Sequence, residues 1–316
     1  ALRADEQGVL ESQPEHFIAL PLVGKEEERP GLPLAINVVA KYWGADLVAQ
    51  PKGAVLIDGI ELAEKSGLAA FIYKGSLKDL KKRIDQGIPV IAIMPGIQDV
   101  AQHATVVSGY SVEERRITTY VPEPDTVGAI PEPKFESDWE QDDSTAIVIV
   151  PADMKDMIKK EETKFAQSNR LCFEAERMRQ QGSPGRAEEM LRQAAEKDPE
   201  NAQAWSQLGG IYNDKGSEEA VTCYERAIKL NPKYYLAYRG LGNYYLKKHD
   251  YSLAEAYYSK AIGVNPSRYG PIYKNRAIAR LELGNNAGAK EDLREYLKQT
   301  PNARDRQQIE TEIAKI

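Results

Sequence analysis

Cysteine and histidine are scarce in this chain of 316 residues, which has two of the first and three of the second. Two thiols cannot supply a disulfide framework. Cys172 and Cys223 both fall on predicted helices, where a free cysteine reads as a small buried apolar residue. His16, His103 and His249 lie far apart among scattered carboxylates, so no metal cluster is expected. A basic excess is also missing, with 42 Lys and Arg against 48 Asp and Glu and a net charge of −6. Nucleic acid and anionic membrane reward clustered cations, so neither is expected as the main partner. No apolar run reaches the roughly 18 residues that a spanning helix needs. There is no Walker loop, dinucleotide glycine fingerprint, HExxH or CxxC, and no cofactor is expected. No signal peptide is visible. The chain opens on Ala1 rather than Met, so the expectation is a leader cleaved off or lying outside this sequence.

What is present suffices for two ordinary domains, since 42% of the residues are hydrophobic. The first sixteen residues are polar and read as a tail. From Phe17 the pattern mixes helix and strand. Leu34 to Trp43 is an apolar helical run stopped by Gly44, the residue that tolerates the left-handed turn after a helix. Ile60 to Ser66 and Leu77 to Gln86 have helical spacing and also precede a glycine. Pro89 to Ile93, Ala104 to Val107, Ile117 to Val121 and Ala146 to Val150 are short, β-branched and bounded by turn residues, which is strand chemistry. Helices first and strands later predict an α+β domain. Residues 122 to 134 hold four prolines and a glycine and read as an irregular loop. Met154 to Lys164 is charged and helix-prone, a bridge to the second half.

The second half repeats. Trp205, Leu208, Gly209 and Tyr212 stand at W-x2-L-G-x2-Y spacing, continued by Ala220, Tyr224, Ala227 and Pro232. Tyr238, Leu241, Gly242 and Tyr245, then Ala254, Tyr258, Ala261 and Pro266, follow in the same order. Closing prolines at 199, 232, 266 and 301 are 33, 34 and 35 residues apart. This stretch resembles the tetratricopeptide repeat, a 34-residue helical hairpin. The first unit is degenerate (Leu171, Ala175, Met178, Ala187, Leu191, Ala194), and the fourth puts Arg276 and Arg280 where apolar residues are usual. Gly209, Gly242, Ala220 and Ala254 let paired helices approach, and the tyrosine stripe reads as packing between them. Residues 302 to 316 form one more helix that caps the stack. The resemblance implies a superhelix whose concave face holds a protein or peptide. On that face it places Leu236, Arg239, Asn243 and Leu246 of the third unit, with Lys274 and Asn275 of the fourth nearby. Arg239, Asn243, Lys274 and Asn275 are the candidate peptide-binding residues. Arg239, Asn243 and Asn275 partly match a carboxylate clamp, whose further basic positions would fall near Asp305 and Ile309.

The first half carries a second resemblance. Gly31-Leu32-Pro33, the run Leu34 to Lys41 and then Tyr42-Trp43-Gly44 are similar to the opening of the C39 family of papain-like cysteine peptidases. Gly87 to Ile91 matches that family's Gly-x-Pro-Val-Ile strand. His103 to Tyr110 matches its His-x-Val-Val-x-Gly-Tyr strand, and Phe135 with Trp139 its closing aromatic pair. The resemblance implies a papain-like fold over about 130 residues and places Gly31 at the nucleophilic cysteine. It also places Lys25 at the glutamine before it, His103 at the general base and Val121 at the aspartate that orients the base. Glu123, before Pro124, takes the last role if the loop shifts. Papain-like chemistry needs a thiolate at a helix N-terminus and a histidine to exchange its proton. Gly31 has no side chain, and neither cysteine lies in this half.

The expected architecture is therefore an α+β papain-like domain plus an all-α tetratricopeptide superhelix. The boundaries are a tail at 1–16, a C39-like domain at 17–153, a linker helix at 154–167, four repeats at 168–301 and a cap at 302–316. The expected function is a non-catalytic adaptor or scaffold with no metal, its repeats holding a protein or peptide. A second extended peptide is expected in the former peptidase groove. The pairing resembles exported bacterial proteins, often lipoproteins. It implies the periplasm or envelope, with the cytoplasm as the alternative, and membrane contact only through a lipid anchor upstream of this chain. The alternatives are a hydrolase rewired around His103 and Glu123, or an assembly subunit that self-associates.

Overall fold

A computed structural model describes residues 15–21, 33–45, 47, 55–96, 100–122, 125–159 and 163–316. Strand β1 (His16–Phe17) leads into α1 (Leu34–Tyr42), α2 (Leu56–Lys65), β2 (Leu68–Lys74), α3 (Leu77–Asp85), β3 (Val90–Pro95), β4 (Gln102–Ser111) and β5 (Arg116–Val121). Then come β6 (Thr126–Pro131), α4 (Glu132–Glu140), β7 (Thr145–Pro151) and α5 (Lys155–Lys159). The remaining elements are helices: α6 (Ala166–Gln180), α7 (Pro184–Lys197), α8 (Ala202–Asp214), α9 (Glu219–Leu230), α10 (Tyr235–Lys247), α11 (Tyr251–Val264), α12 (Pro271–Glu282), α13 (Asn286–Gln299) and α14 (Arg306–Lys315).

The strands form one antiparallel sheet in the order β2-β7-β3-β4-β5-β6, with β1 added against β4. Strand β7 shows why the sheet is covered on both faces. Ile147 and Ile149 point into one core with α1, α2 and Phe173 of α6. Ala146, Val148 and Val150 point into another with α3, α4 and Ile158 of α5. A strand buried on both sides reads as a continuous apolar run, as Thr145–Val150 does. Helix α1 is buried from Ala35 through Ala40, so it lies under neighbours all round. Gly44, Gly67 and Gly87 all follow helices with positive φ. Ser76 caps α3 by accepting from the Asp79 amide at 3.2 Å.

Three elements depart from the pattern read in the sequence. Strand β2 falls between α2 and α3, so helices and strands are interleaved. The proline-rich stretch 122–134 is not one loop; it holds β6 and the start of α4. Its prolines sit where structure tolerates them. Pro131 ends an edge strand and Pro133 lies in the first turn of α4, where a missing N–H removes no ladder or helix bond. Phe135 and Trp139 lie on α4, 5.5 Å apart and fully buried, and the Trp139 indole donates to the Thr145 carbonyl at 2.9 Å. Of the predicted 154–164 bridge, only the short α5 appears as α-helix among the described residues.

The chain divides into two compact units. One runs through Met94 and takes up again over Ala104–Ala204; the other comprises Pro95–His103 and Trp205–Ile316. The first unit therefore includes α6 and α7, the degenerate first hairpin. Helix α6 packs on the sheet domain through Phe173. Arg170 makes a bidentate pair with Glu64 of α2 at 2.8 Å, and Arg177 reaches Glu61 at 2.8 Å and Asp58 at 3.3 Å. This hairpin departs from the repeat consensus because one of its faces meets a sheet domain and not another repeat.

The second unit is built on close helix contacts. A Cβ added at Gly209 would meet the Tyr224 ring at 2.9 Å, at Gly240 the same ring at 2.3 Å, and at Gly242 the Tyr258 ring at 2.5 Å. Asn231 and Asn265 each accept from the amide two residues on, turning the chain at Pro232 and Pro266. The two unexpected arginines of the fourth repeat have a partner. Asp292 of α13, 3% exposed, takes two hydrogen bonds from Arg276 at 2.6 and 2.9 Å and an ion pair from Arg280 at 3.1 Å. Arg276 also donates to Ser259, and Arg280 to Glu255, both on α11. Helix α14 buries Ile309 against the last hairpin.

Replacing Gly242 by Ala should push α10 off the buried Tyr258 ring and destabilise the protein by about 1–3 kcal/mol. Urea unfolding checks this, and an unchanged midpoint would mean that the contact is slack.

Candidate functional site

Of the five residues aligned with the peptidase site, Lys25, Gly31 and Glu123 lie outside the described residues. Val121 ends β5 as a buried apolar side chain. Beside it the Tyr120 hydroxyl donates to Asp125 at 2.7 Å, and the Tyr120 carbonyl accepts from Thr105. Position 121 itself supplies no group that could orient an imidazole.

His103 stands near the start of β4, half-buried, and groups with Pro95 in the second unit, whereas Val121 belongs to the first. Its Nδ1 is 2.6 Å from the Pro95 carbonyl. A carbonyl only accepts, so Nδ1 carries the proton and Nε2 is the basic nitrogen of the neutral ring. Burial pushes the His103 pKa from 6.5 down to about 4, against the raising effect of the Pro95 hydrogen bond. The ring is therefore neutral at physiological pH. A neutral ring is compatible with a base, but one of its two nitrogens is already committed to the backbone. Both thiols are buried: Cys172 is fully enclosed and its pKa is raised by that burial, and Cys223 is 5% exposed. Among the described residues no group of three or more His, Cys, Asp and Glu could hold a metal ion, and no helix is long and apolar enough to cross a membrane.

A second histidine was not singled out from the sequence. His16 of β1 stacks on Tyr110 at 4.3 Å and its Nδ1 lies 2.7 Å from Asp85, which also accepts from the Tyr110 hydroxyl at 2.8 Å. Burial, helped by Asp85, pushes the Tyr110 hydroxyl up to about 12. The cluster pins β1 to β4 just where Gly109 makes room, since a Cβ there would meet the His16 carbonyl at 2.6 Å. Only the Gly-Tyr pair at 109–110 signals it in the sequence.

The repeat residues form a more open site. Arg239 and Asn243 lie on α10, and Lys274 and Asn275 on α12. The two asparagines do not stand free. Asn243 accepts from the buried Tyr258 hydroxyl at 2.8 Å, and Asn275 meets the same hydroxyl. They lock the floor of the groove. The cations stay at its surface. The Arg239 guanidinium lies 5.0 Å over the Tyr269 ring, and Lys274 lies 5.3 Å over Tyr296 while pairing with Asp305 at 2.7 Å. Tyr296 also donates to Asp305 at 2.7 Å. The Lys274 and Tyr296 hydrogen bonds hold the Asp305 carboxyl below its usual range. Asp305 thus answers Lys274 with an anion at a position where a carboxylate clamp would add a cation, and Ile309 is buried. Tyr269, Lys274, Tyr296 and Asp305 line an open pocket of about 510 Å³. Sequence reading located the basic residues but not Tyr269, Tyr296 or the pocket, because these come from the ends of α12 and α13 and the turn before α14.

The pH behaviour of His103 gives a check. Its folded pKa is depressed, so the stability it contributes is present above pH 6.5 and is lost as the pH falls toward 4. Relative to His103→Gln, the wild type should lose on the order of 1 kcal/mol or more between pH 7 and 4.5 in urea melts. Parallel pH curves for the two proteins would show that the ring is not held neutral.

With this geometry in hand, comparison with known proteins finds two kinds of match. The Peptidase_C39 like family model matches residues 40–147. Tetratricopeptide repeat models match 174–219, 217–249 and 241–314. Tetratricopeptide repeat protein 6 of Homo sapiens is 37% identical over 91 residues, covering 28% of this chain and 17% of the relative, so the chain spans only a small part of that protein's length. Among solved structures, pilF of Pseudomonas aeruginosa is 19% identical with a TM-score of 0.44, covering 47% of this chain and 68% of that one. MamA from Desulfovibrio magneticus RS-1 is 18% identical with a TM-score of 0.40, covering 47% and 94%. The first repeat domain of Spaghetti (RPAP3), bound to an HSP90 peptide, is 24% identical with a TM-score of 0.34, covering 36% and 93%.

Proposed function

For a chain that carries a Peptidase_C39-like domain at 40–147 and tetratricopeptide repeats at 174–314, we propose the role of a non-catalytic adaptor. Its repeats bind a protein or peptide, and its peptidase-like domain has lost the cleavage reaction. The observation that carries the first part is the surface formed by Arg239 over Tyr269 and Lys274 over Tyr296. It places cations on helices of successive hairpins, α10 and α12, each beside a tyrosine ring. Such groups suit an extended chain, because guanidinium and ammonium donate to its carbonyls and carboxylates while the partly exposed Tyr269 ring takes an apolar part.

The sequence supports the loss of cleavage. Gly31 stands where the nucleophile belongs, and the two thiols of the chain are buried in repeat helices. Binding and cleavage use separable groups, so a groove without its nucleophile can still hold a peptide. Domain pairing of this kind supports work in the bacterial envelope. Cell fractionation tests that placement, and recovery of the protein in the cytosol alone counts against it.

Arg239→Ala should weaken partner capture about five-fold or more, with little change in melting temperature, since Arg239 lies over the half-buried ring of Tyr269 and not in the core. An unchanged dissociation constant removes this face from the function. Captured partner should remain uncleaved over hours; turnover abolished by His103→Ala would return the protein to the hydrolases.

A further inference from the structure

The pocket at the end of the array has a composition that a plain peptide contact does not require. Thr300, at the end of α13, is 5% exposed, and its Oγ1 has no hydrogen-bond partner among the described residues. A buried hydroxyl is normally paired, so one left open beside a pocket marks a place for an incoming acceptor. A Cβ at position 270 would come within 2.4 Å of this oxygen, so only glycine fits beside it. Arg304, also lining the pocket, is exposed and makes no ion pair among the described residues. Lys274 supplies a second cation, already answered by Asp305.

These groups select among anions. A carboxylate entering the pocket would only exchange with Asp305 for Lys274 and gain little. A phosphate monoester carries about −1.5 to −2 charges and three acceptor oxygens, enough to engage Lys274, Arg304 and the Thr300 hydroxyl together. The volume of about 510 Å³ is large enough for a phosphorylated side chain. We propose that this pocket recognises a phosphate monoester carried on a serine or threonine of the bound peptide, with Asp305 as the built-in competitor for Lys274. This rests on the peptide-binding reading of the groove.

The full chain is titrated calorimetrically with an N-acetylated, C-amidated phosphoserine peptide, with its serine and glutamate forms, and with inorganic phosphate. The blocked ends remove any terminal carboxylate. The phosphoserine form should bind about ten-fold or more tightly than the serine and glutamate forms, and more weakly as salt rises. Arg304→Ala should weaken it about three-fold or more without lowering the melting temperature, and Thr300→Val should act in the same direction. Asp305→Asn should strengthen it, which a merely structural role for Asp305 would not do. Equal binding of the serine and phosphoserine peptides overturns the proposal. So does inorganic phosphate binding as tightly as the phosphopeptide, which would make this a free-anion site. Capture of unmodified partner by wild type and Arg239→Ala is measured separately, so the groove and the pocket can fail independently.

Discussion

The repeat array depends on the distance at which a helix backbone can meet a tyrosine ring. At Gly209, Gly240 and Gly242 the gap leaves no space for even one more carbon. Two rings, Tyr224 and Tyr258, each 4% exposed or less, fill what the glycines vacate. The order of consequences runs from there. Close packing sets the tilt between neighbouring hairpins, and the tilt decides which side chains of α10 and α12 face a common groove. Tyr258 links the two levels directly, since its ring fills the interior while its hydroxyl holds Asn243 and Asn275 at the groove floor. A surface that looks polar in the sequence is in part the outer end of the core.

This explains which parts of the molecule were legible in advance. The repeat period, the closing prolines and the small residues at Gly209 and Gly242 carry the array because each answers a local requirement: a turn, a helix end, a close contact. The C39-like domain is legible through its ordered motifs, and Gly44 and Gly87 mark helix ends where expected. Strand β2 was missed because Leu68–Lys74 follows a helix of similar apolar content with only Gly67 between them. Strand β6 was hidden by prolines that an edge position tolerates. Asn243 and Asn275 read as groove donors because spacing reveals the side of a helix but not the tyrosine hydroxyl beneath it. The pocket could not be read at all. Tyr269, Tyr296, Thr300 and Arg304 come together only through the turns at both ends of the last hairpin.

Where the repeat consensus fails, the reason lies in what each hairpin touches. The first hairpin lies in the unit that contains the sheet. Phe173 enters the sheet domain's core, and Arg170 and Arg177 pair with carboxylates of α2. Those pairs are partly exposed, so they guide orientation more than they add stability. The fourth hairpin fails differently. Arg276 and Arg280 replace apolar residues, but Asp292 is buried among them with hydrogen bonds on both oxygens. A buried charge cluster of this kind adds little net stability over a well-packed apolar one, yet losing a single member leaves charge stranded in the interior.

That cluster has a consequence for the way the array comes apart. Solenoids commonly fray from their ends, one hairpin at a time, because each unit touches only its neighbours through apolar faces that can be wetted gradually. Here the guanidinium groups of α12 hold α13 through Asp292 and α11 through Glu255 and Ser259 at once. Detaching the last hairpin would drag unmatched ions out of three helices in one step. These contacts tie the fourth hairpin to the third, and the terminal pocket to the groove beside it.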